Sequence, residues 1–228
     1  MKLFAKSLVA LSLVATAGIA SAALTIVSNI GGAPTGVNKW NLDEGTSFGD
    51  VSVSFVPAAQ FVTGAVGGQY AAPVLSGNNG MGFGAGGTDQ ADGADTTRYI
   101  TSGSNTSALG AGATFTFAND QLYFGLLWGS VDNYNTLTFY NNDVVVGTIT
   151  GSDVMANPNG NQGAGGTTYV NINSTLAFDK VVATSTSFAF ELDNIAFSEN
   201  RIPEPASLAL VGLGLLGMGA ARRRRAAR

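Results

Sequence analysis

Cysteine and histidine are both absent from this chain of 228 residues, and basic side chains are scarce, 11 lysines and arginines against 15 acidic groups. Without histidine or cysteine there is no Ser-His-Asp or Cys-His arrangement for nucleophilic catalysis, and zinc loses its usual ligands. No disulfide can staple the fold, so stability has to come from a buried core. Position thins the positive charge further. Lys2, Lys6 and the arginines from Arg222 to Arg228 sit at the chain ends, which leaves Lys39, Arg98, Lys180 and Arg201 against 14 acidic residues between positions 23 and 202, a net of −10. Such a surface repels nucleic acid and anionic lipid and favours solubility or divalent cations.

Lys2 and Lys6 precede an uncharged run from Leu8 to Ile19, followed by the small residues Ala20, Ser21 and Ala22. That order predicts a secretory signal peptide over residues 1–22, cut before Ala23, and implies the Sec translocon and a signal peptidase as partners. As a helix the apolar run rises only about 18 Å, short of a hydrocarbon core of about 30 Å.

At the other end Pro203, Glu204 and Pro205 precede an uncharged stretch from Ala206 to Ala221, and then Arg222, Arg223, Arg224 and Arg225. The prolines deny helix continuation, so Ile202 to Pro205 is expected to be extended and accessible, with a helix able to start only afterwards. That helix would rise about 24 Å, a marginal membrane span. The arginines would hold their end on the cytoplasmic side, so everything before the prolines faces outward. These three parts, in this order, closely resemble the PEP-CTERM sorting signal of Gram-negative bacteria that make exopolysaccharide. The resemblance implies an exosortase as processing partner, acting at or near Pro203 to Pro205. A permanent single-span anchor is the plainer alternative.

The interior, residues 23–200, is long enough for one domain with a core. Runs rich in β-branched and aromatic residues recur between Gly/Asn/Asp/Ser clusters, and no helical apolar stripe of useful length appears. Strands are predicted near 24–29, 51–56, 114–117, 122–128, 136–140, 144–150, 168–172, 181–184 and 188–197, which points to an all-β fold, a β-sandwich or jelly roll. Asn141 and Asn142 suit the positive φ values of a tight hairpin turn. In the last strand Phe188, Phe190 and Leu192 share one parity and Ile195 and Phe197 the other, so a bulge is expected at Asp193 and Asn194. Residues 70–98 and 157–166 read as long flexible loops. The segments YFGLLWGSVDNYNTLTFYNNDVVVGTITGSDV and FAFELDNIAF resemble the ectodomain of a cyanobacterial and proteobacterial family of exosortase-dependent surface proteins, over about residues 98 to 200. This resemblance implies a displayed β-sandwich and carries no enzymatic activity with it.

Three sets of residues are candidate sites. Asp89, Asp92 and Asp95 put three carboxylates in one loop, the hard oxygen ligands calcium favours, although a solvated acidic loop explains them as well and no other cofactor is indicated. Glu191 and Asp193 lie two apart on one strand, about 7 Å, in the range of a glycosidase pair; two carboxylates on a solvent face are the commoner outcome. Asp193 and Asn194 are better read as bonding neighbouring backbone or holding a cation at the bulge. Trp40, Trp128, Tyr134 and Tyr140 are aromatic faces on which a sugar ring can stack, with Trp128 expected in the core. The reading is a non-enzymatic surface or extracellular-matrix protein, with an exopolysaccharide-binding module as the alternative and a glycosidase third.

Overall fold

The computed structural model describes residues 24–28, 32–56, 59–76, 92–103 and 111–203. In chain order the strands among them are β1 (Leu24–Ser28), β2 (Asn38–Trp40), β3 (Ser47–Phe48), β4 (Val51–Phe55), β5 (Ala59–Val62), β6 (Val74–Leu75), β7 (Gly93–Ala94), β8 (Tyr99–Ser102), β9 (Ala111–Gly129), β10 (Asn135–Asn141), β11 (Val144–Thr150), β12 (Thr168–Ser185) and β13 (Phe190–Ser198). Among the described residues helix is confined to one turn, α1 (Gly151–Val154), and a 3-10 turn at Ala164–Gly166. The fold is all-β, as the residue pattern requires. Among the described residues no helix is long and apolar enough to cross a membrane. The signal-peptide residues, Glu204, Pro205, the hydrophobic run and Arg222 to Arg225 lie outside the described residues.

Alternation decides which faces are buried. β4 buries Val51 and Val53 and exposes Ser52 and Ser54, while β10 buries Leu137 and Phe139 between half-exposed Thr136, Thr138 and Tyr140. Eleven strands form one sheet in the order β11-β10-β12-β9-β13-β8-β5, with β1 added to β12, β2 to β13 and the β3–β4 hairpin to β9; β6 and β7 make a separate pair. The long strands β9 and β12 pair with each other at both ends, and their two halves have different neighbours. Ala113 to Phe117 of β9 lies between β4 and the end of β12, whereas Tyr123 to Gly129 lies between β13 and the start of β12. The register shifts on either side of Phe178, where the change of neighbours occurs.

One core serves both halves. Phe117 contacts Phe178 at 5.9 Å and Phe197 at 5.4 Å between ring centroids, and Phe124 contacts Phe115 at 5.8 Å and Phe139 at 6.0 Å. Burying a side chain of this size contributes about 1.5–3 kcal/mol. Six such phenylalanines outweigh the roughly 2–5 kcal/mol that a disulfide supplies to a small exported domain.

The two predicted pairs 114–117/122–128 and 168–172/181–184 are each a single continuous strand, β9 and β12. β11 falls where expected. The hairpin turn sits one residue later than its asparagines suggested: Asn142 and Asp143 carry the positive φ values, 47° and 64°, and Asn141 still pairs with Val144. The bulge is where parity demanded it. Between Asp193 and Ala196 the register against β9 shifts, Asn194 has φ 55°, and Phe190, Leu192, Ile195 and Phe197 all reach the core. The stretch 157–166, expected to be a flexible loop, is tied down, since the Gly160 N–H donates to Val131 O at 3.0 Å and the Val131 N–H to Gly166 O at 2.9 Å.

Candidate functional site

Three places on or beside β13 gather the chemistry. The first is its exit. After Ser198 the chain reaches Ile202, whose N–H donates to Asn173 Oδ1 at 2.9 Å while Asn173 Nδ2 donates back to Ile202 O at 2.8 Å. An amide side chain offers one donor and one acceptor side by side, so a single buried asparagine on β12 closes both polar groups of the last residue before proline. Ile202 also packs against the small cluster of Leu75, Tyr123, Leu127, Tyr169 and Ala196. Pro203 follows at once and is exposed.

The second place is the bulge. Asp193 and Asn194 are both 0% exposed, Asn194 Nδ2 donates to Asp193 Oδ2 at 2.7 Å, and the Tyr169 hydroxyl donates to Asn194 O at 3.0 Å. Burial pushes the Asp193 carboxyl well above its ordinary range, and the neighbouring Asp95 pushes it further. Asp95 stands close enough to disfavour a second negative charge there, so the surroundings favour the protonated form of Asp193. Asp95 is itself buried and accepts from Thr97 N at 2.8 Å and Thr97 Oγ1 at 2.6 Å. This corrects the solvated-loop expectation for Asp95, which the fold carries to Asp193, while Asp92 stays exposed and Asp89 lies outside the described residues. Among the described residues no three acidic, histidine or cysteine side chains converge on a metal position.

The third place is a polar cleft of about 210 Å³, lined by Tyr70, Ser130, Asp132, Tyr134, Asn159, Gln162 and Glu191 among others. Glu191 is 2% exposed; its Oε1 accepts from the Ala71 N–H at 2.9 Å and its Oε2 has no hydrogen-bond partner. Desolvation raises its pKa from 4.5 to about 7, offset in part by the Ala71 N–H, with the Ser130 hydroxyl close by but outside hydrogen-bond geometry. Asp132 is also raised by burial. The Tyr134 hydroxyl lies 2.8 Å from Asp132 Oδ2 and 2.5 Å from Phe188 O, and its one proton serves one of them at a time. Glycine is required at 160, where φ is 66° and an added Cβ would come within 2.7 Å of Asp132 Oδ1. Glu191 and Asp193 therefore do not share a solvent face: both are buried, and each has its own surroundings.

The two tryptophans are core residues. Trp40 is 0% exposed, stacked on Phe48 at 6.4 Å and edge-on to Phe115 at 6.3 Å, which corrects its reading as a sugar platform. Trp128 stacks on Phe190 at 4.4 Å in the core, and Tyr140 is half-buried with Lys180 over its ring. Sequence reasoning gave Tyr134 but missed Asp132, Ser130, Asn159 and Gln162, which come together only through the tied-down 157–166 segment.

Residues 201–225 match the family model of the PEP-CTERM protein-sorting motif. A motif of this kind implies export, passage through a membrane-anchored state and a processing partner of the exosortase type. Neither the curated proteins nor the solved structures contain a match to this chain.

Proposed function

We propose that this chain is an exported, non-enzymatic surface or extracellular-matrix protein whose domain, residues 23–200, is delivered by a cleaved signal peptide, parked by Ala206 to Ala221, and released or re-anchored by an exosortase acting near Pro203 to Pro205. The observation that carries the reading is the join between fold and motif. The sorting motif begins at residue 201, and among the described residues the last side-chain hydrogen bonds along the chain are those of Asn173 with Ile202. Pro203 is exposed immediately beyond them, so the described start of the processing element is open to an enzyme. A two-layer sandwich form for the domain is supported by the phenylalanine contacts that link both halves of β9 and β12 across one core. The non-enzymatic part of the reading rests on the lack of histidine and cysteine and on the separate surroundings of Glu191 and Asp193.

Intact-mass measurement on protein from native cells tests it, wild type beside Glu204→Ala. The expected wild-type mass lacks residues 1–22 and the tail beyond Pro205, and the variant keeps the tail. A tail retained in both would overturn exosortase processing and leave a membrane-anchored β-domain.

A further inference from the structure

We propose that the cleft shared by Asp132 and Glu191 binds a hard divalent cation of the calcium type. Glu191 is 2% exposed, and one of its two oxygens has no partner. Asp132 faces the same cleft, and no lysine or arginine lines it. Two carboxyls held together away from water with no counter-charge are costly, and a cation seated between them removes that cost. The other polar side chains lining the space, Ser130, Tyr134, Asn159 and Gln162 among them, supply neutral oxygens and no sulfur or imidazole. That donor set selects calcium over zinc or copper.

Size and charge fix the kind of site. A space of about 210 Å³ accommodates an ion with a few waters, at roughly 30 Å³ each, and is below the usual 300–1,000 Å³ of an organic-ligand pocket. Only two carboxylates take part, with no third acidic group converging among the described residues. Affinity therefore falls at the weak end, a Kd of about 10⁻⁴–10⁻³ M, as in extracellular modules. This site does not depend on how the chain is sorted.

Terbium is the probe, because Tyr70 and Tyr134 line the cleft and excite a bound lanthanide at short range. Full-length protein in detergent, stripped with chelator, is titrated with Tb³⁺ under tyrosine excitation, and Ca²⁺ is then added in competition. The expected result is sensitised emission that millimolar Ca²⁺ displaces, with Glu191→Gln and Asp132→Asn each weakening binding about tenfold or more. Asp50→Asn, on the exposed surface away from the cleft, leaves it unchanged. Absence of sensitised emission in the wild type overturns the proposal without recourse to any variant. So does emission that Ca²⁺ fails to displace, or binding that survives intact in folded Glu191→Gln or Asp132→Asn, folding being checked by far-ultraviolet circular dichroism.

Discussion

Glu191 and Asp193 stand two residues apart on the same face of β13, and both are buried, yet they live in different chemistry. Asp193 is closed in by the bulge, with Asn194 Nδ2 on one oxygen and Asp95 beside it; Glu191 takes the Ala71 N–H on one oxygen and borders a cleft. What separates them is the loop that covers each. The segment carrying Asp95 seals the bulge, whereas residues 130–134 and 159–162 wall the cleft without filling it. Burial alone thus does not decide what a carboxyl does.

Removing Asp193 is the harshest way to break the comparison. Asp193→Ala leaves the Asn194 amide buried without its acceptor and opens a cavity, and should cost about 4 kcal/mol of unfolding free energy. Asp193→Asn keeps an acceptor for Asn194 and matches the neutral form that burial favours, and should cost about 1 kcal/mol. Urea denaturation of the two variants measures both; equal losses would mean that the hydrogen bond with Asn194 contributes nothing.

The next effect is a pH dependence of unusual sign. The Glu191 pKa is raised from 4.5 to about 7, so between those values the folded protein holds a proton that the unfolded chain has lost. Its contribution is complete below about pH 4.5 and is lost as pH rises to about 7, an amplitude of about 3 kcal/mol. In EDTA the protein should be less stable at pH 8 than at pH 5, and Glu191→Gln should abolish that part of the slope. Asp193, whose pKa burial also raises, should add a dependence of the same sign that survives in the same variant. Denaturant midpoints taken across this range would expose a flat profile, which would refute the assignment.

The smallest effect sharpens the cleft side. Tyr134→Phe removes the hydroxyl shared by Asp132 and Phe188 O and should cost about 1 kcal/mol, readable as a small fall in the thermal midpoint. A loss as large as that of Asp193→Ala would mean that the cleft wall is as closed as the bulge.

Alternation and parity made much of the β-domain readable, including β4, β10, β11 and the bulge at Asp193. The rest depended on partners. NKW, AQFV and YITS are too short to show a period and are strands because β13 and β8 pair with them. Asn119 to Gln121 and Ser174 to Asp179 carry turn residues, so each long strand reads as two; in the fold the chain continues through them while its neighbours change. Of the bulge, sequence located Asp193 and Asn194 but not their link to Asp95, nearly a hundred residues earlier. The cleft draws on four separate segments, and no local pattern encodes such a meeting.

The grip of Asn173 on Ile202 also has a mechanical meaning. Any tension arriving along the chain from Pro203 meets those two hydrogen bonds first. Behind them lies β13, held on one side by β9 and on the other by β8 and β2, all antiparallel. A pull along its axis loads these ladders in shear, so many backbone bonds resist together instead of opening one by one. β13, the strand nearest the sorting motif, is also one of the most deeply embedded, so force applied through that motif would reach the domain where it is difficult to unravel.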